Sequence, residues 1–209
     1  MSGPMSRRLP VLALSAVLLA GCFTGQRPHF EEVTTTGDPA IDAVLDRLDA
    51  ITSGPVAAAY EVLVKFGSSS TTAVVSLDAG NRNVIVGNVR YLDTAAVVAT
   101  CTVDLSQPCV DGLDPARISD TLLTIDFYAA DTAKRLRRDA QAALAPAVAR
   151  TATIAGRNAT CADVPLAGGT AVYCVLDNGL LALLDDGDVR VTLTLTVDEI
   201  DPTQFVPPA

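Results

Sequence analysis

The sequence predicts an α+β domain in which two groups of strands flank a long helix and a shorter helix precedes them all. Three observations carry this. Apolar residues recur at helical spacing over Ile41 to Ile51 and again from Ala129 to Leu144. The period is two in the stretches between and after them. Glycine, asparagine and aspartate pairs then cut those alternating stretches into short segments.

The chain opens on a different kind of segment. Arg7 and Arg8 precede a ten-residue, mostly apolar run, Val11 to Ala20, half the roughly 20 residues that a membrane-spanning helix needs. A positive start, a short apolar run and small residues at its end read as a signal peptide over residues 1–21. Leu19-Ala20-Gly21-Cys22 closes it and resembles the lipobox of bacterial lipoproteins, which implies lipidation of Cys22 and cleavage just ahead of it. Residues 22–38 then lack periodicity and hold Thr34, Thr35 and Thr36 in a row. They read as a lipidated flexible tether spanning ~20 to 24 Å as a coil, with a single domain over residues 39–209.

Removing residues 1–21 takes away two arginines and no acid, leaving 24 acids against 13 bases and a formal charge of −11. Such a surface repels nucleic acid and anionic headgroups, so attachment to a membrane falls to the acyl chains, worth about 0.8 kcal/mol per buried methylene. The expected location is the outer face of the cytoplasmic membrane.

Asp38-Pro39 has the form of an N-cap followed by proline at the first helical position, and Gly54-Pro55 ends that helix. Tyr60, Val62, Val64 and Phe66 then share one face of a strand. Thr72 to Leu77 forms the next, and Ala79-Gly80-Asn81 the turn after it. In Val84 to Leu92, Gly87-Asn88 is either a bulge or a hairpin turn. Ala95 to Thr102, apolar on both faces, reads as an interior strand.

Asp104 to Asp120 is a loop pinned by Cys109, with a helical turn starting at Asp114-Pro115. The second long helix carries Ala129, Ala133, Leu136, Ala140, Ala143 and Leu144 on one side and stops before Pro146. Lys134, Arg135, Arg137 and Arg138 form a basic arc on its other side, with Asp131 and Asp139 each four residues from Arg135. The arc reads as a solvated, ion-paired face, with contact to lipid headgroups or an acidic partner as the alternative.

The last third is a strand meander. Thr153 to Val164 meets Thr170 to Leu176, followed by Leu180 to Leu184 and Val189 to Val197, with Val191, Leu193, Leu195 and Val197 sharing a face. Four cysteines besides Cys22 in an exported chain point to disulfides. The local connectivity is expected, Cys101 with Cys109 and Cys161 with Cys174, because a hairpin turning at Leu166-Ala167-Gly168-Gly169 sets the second pair opposite each other.

Catalytic chemistry finds little support. His29, the single histidine, lies in the tether, so no Ser/His/Asp or Cys/His arrangement and no histidine-containing metal site can form within the domain. Asp185, Asp186 and Asp188, and Asp198, Glu199 and Asp201, sit at strand ends beside glycine or proline and read as solvated turn residues. Asn158-Ala159-Thr160 matches a glycosylation sequon by chance, given a bacterial export signal. The chain is expected to be no enzyme and to need no cofactor or metal.

The order of lipobox, tether, amphipathic helix, meander, central helical crossover, second meander and closing segment Asp201, Pro202, Phe205 and Pro207 resembles the bacterial lipoprotein-carrier superfamily, in its surface-anchored actinobacterial lipid-transport branch. The resemblance implies an open half-barrel of antiparallel strands whose concave face is covered by two main helices, with an apolar cavity between the layers. Its expected function is non-covalent binding or transport of a lipid or other apolar envelope molecule. Tyr60, Val62, Val64 and Phe66, then Val75, Leu77, Tyr91 and Val97, are the candidate lining residues, and the same residues would serve equally as plain core. The alternative is an envelope protein-interaction or structural lipoprotein with no ligand cavity.

Overall fold

The computed structural model describes residues 35–207; the expected signal peptide, the expected lipidation site Cys22 and the expected tether as far as Thr34 lie outside the described residues. Two α-helices, α1 (Pro39–Asp49) and α2 (Ala130–Ala142), pack on a sheet of eleven strands. In chain order these are β1 (Val56–Val64), β2 (Ser69–Asp78), β3 (Asn81–Val86), β4 (Val89–Asp93), β5 (Val98–Thr102), β6 (Val110–Asp111), β7 (Val148–Ile154), β8 (Arg157–Leu166), β9 (Gly169–Leu176), β10 (Leu181–Asp185) and β11 (Val189–Val197). Every pairing is antiparallel and the sheet is open, in the order β6-β5-β4-β3-β2-β1-β11-β10-β9-β8-β7. The expected α+β class with a curved, open antiparallel sheet is what forms.

Two meanders make this sheet, joined at its centre by the first strand against the last. That order dictates the cover. β6 and β7 are the two outer edges, so the chain between them must travel ten strand spacings, roughly 48 Å on a flat sheet. The crossover holds a 3-10 helix at Pro115–Thr121 and then α2, and its apolar side chains bury the face they cross.

α1 forms where expected. The Asp38 carboxylate accepts from Ala40 N at 2.9 Å and Ile41 N at 3.3 Å, satisfying two of the orphan amides of a helix start for about 1 kcal/mol. Its other oxygen accepts from Ala147 N at 2.7 Å, tying the helix start to the entry of β7. Ala40, Ile41, Val44, Leu45 and Leu48 are buried against α2 and strands β8 and β9.

Several expectations need correction. The region read as one strand, Thr153 to Val164, is parts of two: β7 and β8 meet at a hairpin turn of Ala155 (φ 49°) and Gly156 (φ 74°). Positive φ at both turn residues suits the strand twist, but Ala-Gly is not the Asn-Gly pair that advertises such a turn. Gly87-Asn88 is a hairpin turn between β3 and β4. Leu144 lies beyond the end of α2 and is exposed rather than on its buried side. Phe66 falls in a 3-10 turn after β1 and is 92% exposed.

The apolar face read along the last strand breaks after Leu193. β1 and β11 pair as Ala59 with Leu195 and then Tyr60 with Leu193, so Thr194 is an extra residue whose hydroxyl donates to Ala59 O at 3.0 Å. A one-residue bulge exchanges faces for everything beyond it. Leu195 and Val197 therefore point outward and Thr196 is buried.

Both expected disulfides form, Cys101 to Cys109 and Cys161 to Cys174. The second links residues directly opposite each other on β8 and β9, in a hairpin closing at Leu166 and Gly169. The closing segment turns back as a 3-10 helix at Pro202–Phe205, held by Ser76 Oγ to Gln204 Oε1 at 2.6 Å and by Arg90 donating to Gln204 O at 2.6 Å.

Candidate functional site

The largest side chains of the interior gather under the crossover. β1 contributes Tyr60 and Val62, β2 Val75 and β4 Tyr91, each 1% exposed. From above come Ile118 in the 3-10 helix and then Leu123, Ile125, Phe127 and Tyr128 in the irregular stretch before α2, all buried in the same cluster. Phe127 stands edge-on to Tyr60 at 5.2 Å and to Tyr128 at 5.8 Å between ring centroids, the geometry favoured by aromatic quadrupoles.

Two of the interior tyrosines have met their hydroxyls. Tyr91 donates to Asp114 O at 2.9 Å, and Tyr173 donates to the buried Asp139 carboxylate at 2.5 Å. Tyr60 differs: its hydroxyl is buried and has no partner. Burial, with the neighbouring Tyr128 phenol adding to it, pushes the Tyr60 pKa far up, so the group stays a neutral hydroxyl that can donate one hydrogen bond and does not.

The covering stretch is fastened at several points. Asp126 pairs with Arg82, whose Nε also meets Asp93 at 2.7 Å. Leu181 N donates to Tyr128 O at 2.9 Å, Thr132 Oγ1 to Phe127 O at 2.5 Å, and Arg135 to Leu122 O. Burial pulls the Arg82 pKa down, but Asp126 and Asp93 outweigh it and hold it above the usual guanidinium value.

Of the eight candidate lining residues, Tyr60, Val62, Val75 and Tyr91, with Leu77 at 8% exposure, sit together in the core cluster beneath this cover, and Val64 is buried at the end of β1 but outside that cluster. Phe66 does not, being on the outer turn. Val97 packs instead with Leu92, Ala99, Cys101 and Cys109 in a small separate cluster. Leu123, Ile125, Phe127 and Tyr128 were missed in the sequence because they follow neither helical nor sustained strand spacing. Their signal was apolarity at Leu123, Ile125 and Phe127, every second position inside a segment without another strand cue.

The charged clusters resolve differently from their sequence reading. Arg135 pairs with Asp131 at 3.2 Å and reaches Asp186 at 3.4 Å, Arg137 pairs with Asp49, and Arg138 rather than Arg135 takes Asp139, at 3.2 Å. Lys134 is exposed and makes no ion pair among the described residues. Asp186 is not a solvated turn residue. It is 8% exposed and accepts from Asp188 N and Val189 N, each at 2.8 Å. Asp185 is held by Lys65 at 2.7 Å and by Arg190; burial raises its pKa, and these two cations outweigh that and lower it. Asp201 caps the closing 3-10 helix through Thr203 N at 2.9 Å, which lowers its pKa. Among the described residues no cluster of three or more histidine, cysteine, aspartate or glutamate side chains could hold a metal ion, and no helix is long and apolar enough to cross a membrane.

No protein-family model matches the chain, and no curated protein matches it. Among solved structures it is similar to one described as MucB in complex with MucA(peri), at 13% sequence identity and a TM-score of 0.44, over 80% of this chain and 59% of that one.

Proposed function

We propose that this chain is an exported lipoprotein of the lipoprotein-carrier kind, anchored through Cys22 to the outer face of the cytoplasmic membrane, which holds a lipid or other apolar envelope molecule non-covalently between its sheet and its helical cover. One observation carries the reading: the Tyr60 hydroxyl, buried without a partner in the cluster that holds Val62, Val75 and Phe127. A buried hydroxyl with no partner costs about 1 to 3 kcal/mol, and such groups call for an explanation. An acyl ester or amide oxygen arriving with a hydrocarbon chain would supply the acceptor while its methylenes fill the rest.

Energetics suit exchange rather than capture. Taking a chain from water gains about 0.8 kcal/mol per methylene, but a chain leaving a bilayer gives up an equally apolar place, so loading and unloading are nearly balanced. Leu123, Ile125, Phe127 and Tyr128 occupy the interior in this structure. Entry trades their contacts with the sheet for contacts with the ligand, and the Arg82 and Asp126 pair is the fastening that must yield.

The test is native mass spectrometry of Cys22→Ser protein, with and without Tyr60→Phe, made in a bacterial host. Lipid-sized adducts that organic extraction removes, less abundant with Tyr60→Phe, are expected. A clean apo mass, with no uptake on mixing with vesicles, overturns the carrier reading. Cys22→Ser protein should also leave the membrane fraction, and its retention there would overturn the anchor.

A second reading, an envelope protein-interaction or structural lipoprotein with no ligand cavity, is favoured by the close packing of Tyr60, Val62, Val75 and Tyr91. On that reading the clean apo mass is the expected outcome.

A further inference from the structure

Antiparallel pairing gives the sheet two ends, and they differ in what they expose. One end holds the β1–β2, β3–β4, β8–β9 and β10–β11 turns, the loop from β5 to β6 and the start of β7. The three most exposed large apolar side chains among the described residues, Phe66 at 92%, Leu144 at 70% and Val148 at 62%, all lie there. Phe66 is in the β1–β2 turn, Val148 begins β7, and Leu144 N donates to Pro165 O at 2.9 Å where β8 ends. Val103 and Leu105 add to them from the β5–β6 loop. Exposed apolar residues scattered singly are ordinary, whereas a concentration of them marks an interaction surface.

Where the chain enters says what that surface meets. The Asp38 carboxylate at the start of α1 accepts from Ala147 N, one residue before β7, at 2.7 Å, so α1 begins at this same end, beside the Leu144 to Val148 segment. Cys22 lies thirteen residues ahead of Thr35, the first described residue. The far end of the sheet is more distant by the rise of β1, roughly 30 Å for its nine residues. The basic arc arrives here as well: Lys134, Arg135 and Arg138 share a depression with Leu122 and with Asp188 of the β10–β11 turn. Apolar side chains flanked by lysine and arginine suit a bilayer surface, the former entering the acyl boundary and the latter meeting headgroup phosphates.

We propose that this end of the sheet is a membrane-docking surface, with Phe66 inserted at the acyl boundary of the bilayer, Leu144 and Val148 resting on it, and Lys134 and Arg138 at the headgroups. The strands then rise from the membrane, and the far end, with Leu195 and Val197, faces away from it. Acyl chains alone would hold the domain near the bilayer in any orientation, whereas an inserted Phe66 fixes which end meets it. The inference rests on the proposed Cys22 anchor and is independent of whether the interior around Tyr60 takes a lipid.

The chain has no tryptophan, so Phe66→Trp and, at the far end, Leu195→Trp each introduce a single fluorophore at an exposed position that the core does not need. The test reconstitutes each full-length variant, made in a bacterial host, into vesicles of phosphatidylcholine and phosphatidylglycerol with brominated acyl chains, which quench an indole that enters the bilayer. Loss of most of the emission and a blue shift are expected for Phe66→Trp, with Leu195→Trp unchanged. Equal quenching at the two positions overturns the orientation. Quenching of neither in protein that co-sediments with the vesicles overturns the docking and leaves the anchor standing, as would follow if this end met a protein. Adding Cys22→Ser separates the two readings: co-sedimentation at the same lipid concentration as the parent overturns the anchor, and quenching at Phe66→Trp against Leu195→Trp still decides the docking. Parent protein that neither co-sediments nor is quenched overturns both.

Discussion

Replacing Tyr60 and Tyr173 in turn by phenylalanine removes one hydroxyl from each of two buried phenols and should give opposite results. Tyr173 is 0% exposed and donates at 2.5 Å to an Asp139 carboxylate that is itself 6% exposed. A hydrogen bond to a charged group is worth about 1.5 to 3 kcal/mol, and its loss leaves the carboxylate with Arg138 as its remaining side-chain partner. Tyr173→Phe should therefore cost about 2 kcal/mol, or roughly 4 to 8 °C in Tm for a domain of this size. Tyr60 makes no such bond, so Tyr60→Phe removes a desolvated hydroxyl and should be neutral or stabilise by about 1 kcal/mol. The assay is urea unfolding followed by circular dichroism, comparing midpoints at constant slope. If Tyr60→Phe loses 2 kcal/mol while Tyr173→Phe loses none, the assignment of partners in the interior is refuted.

Three further outcomes are expected. Cys161→Ser with Cys174→Ser should cost about 3 kcal/mol and Cys101→Ser with Cys109→Ser slightly less, as the loop-closure model gives for loops of these lengths, measured by denaturation under non-reducing conditions. Gly179→Ala should cost about 3 kcal/mol or more, because Gly179 has φ +84° and an added Cβ would lie 2.5 Å from Arg47 O and 2.6 Å from Ile51 Cα. Gly156→Ala, at φ +74° with open space around it, should cost about 1 to 2 kcal/mol. Equal losses in the two glycine variants would show that the turn does not press on the end of α1. Stability should fall as pH rises above about 10. Burial raises the pKa of Tyr60, Tyr91, Tyr128 and Tyr173, that of Tyr91 to about 12, so the folded state keeps protons that the unfolded chain loses. Thermal melts between pH 8 and 12 check this, and a midpoint that does not drop above pH 10 would contradict it.

Much of the fold was readable where a local rule suffices. Asp38-Pro39 is a cap whose partners lie two and three residues away, and the Cys161 and Cys174 pairing follows from the midpoint of one hairpin. The first interior strand was equally plain, because alternation from Val56 to Val64 suits one buried face. Failures came where the deciding contact is distant. Phe66 keeps the alternation of Tyr60, Val62 and Val64 in sequence, but the chain has already left the extended conformation at Lys65 (φ −69°, ψ −37°). Asp186 looks like any turn aspartate until α2 brings Arg135 against it.

By itself the sequence determined the fold class, most of the elements, the disulfide partners and the caps at Asp38 and Asp114, because each depends on residues within a hairpin or a helical turn. Tertiary structure alone decided which strands become neighbours. Pairing β1 with β11 seats the two meanders edge to edge, forces the crossover across their face and introduces the bulge at Thr194. Those long-range contacts leave Tyr60 without a partner beneath Phe127 and bury Thr196 with its hydroxyl unpaired. Which hydroxyl goes unmet is a property of what the fold brings opposite it, and no run of neighbouring residues encodes that.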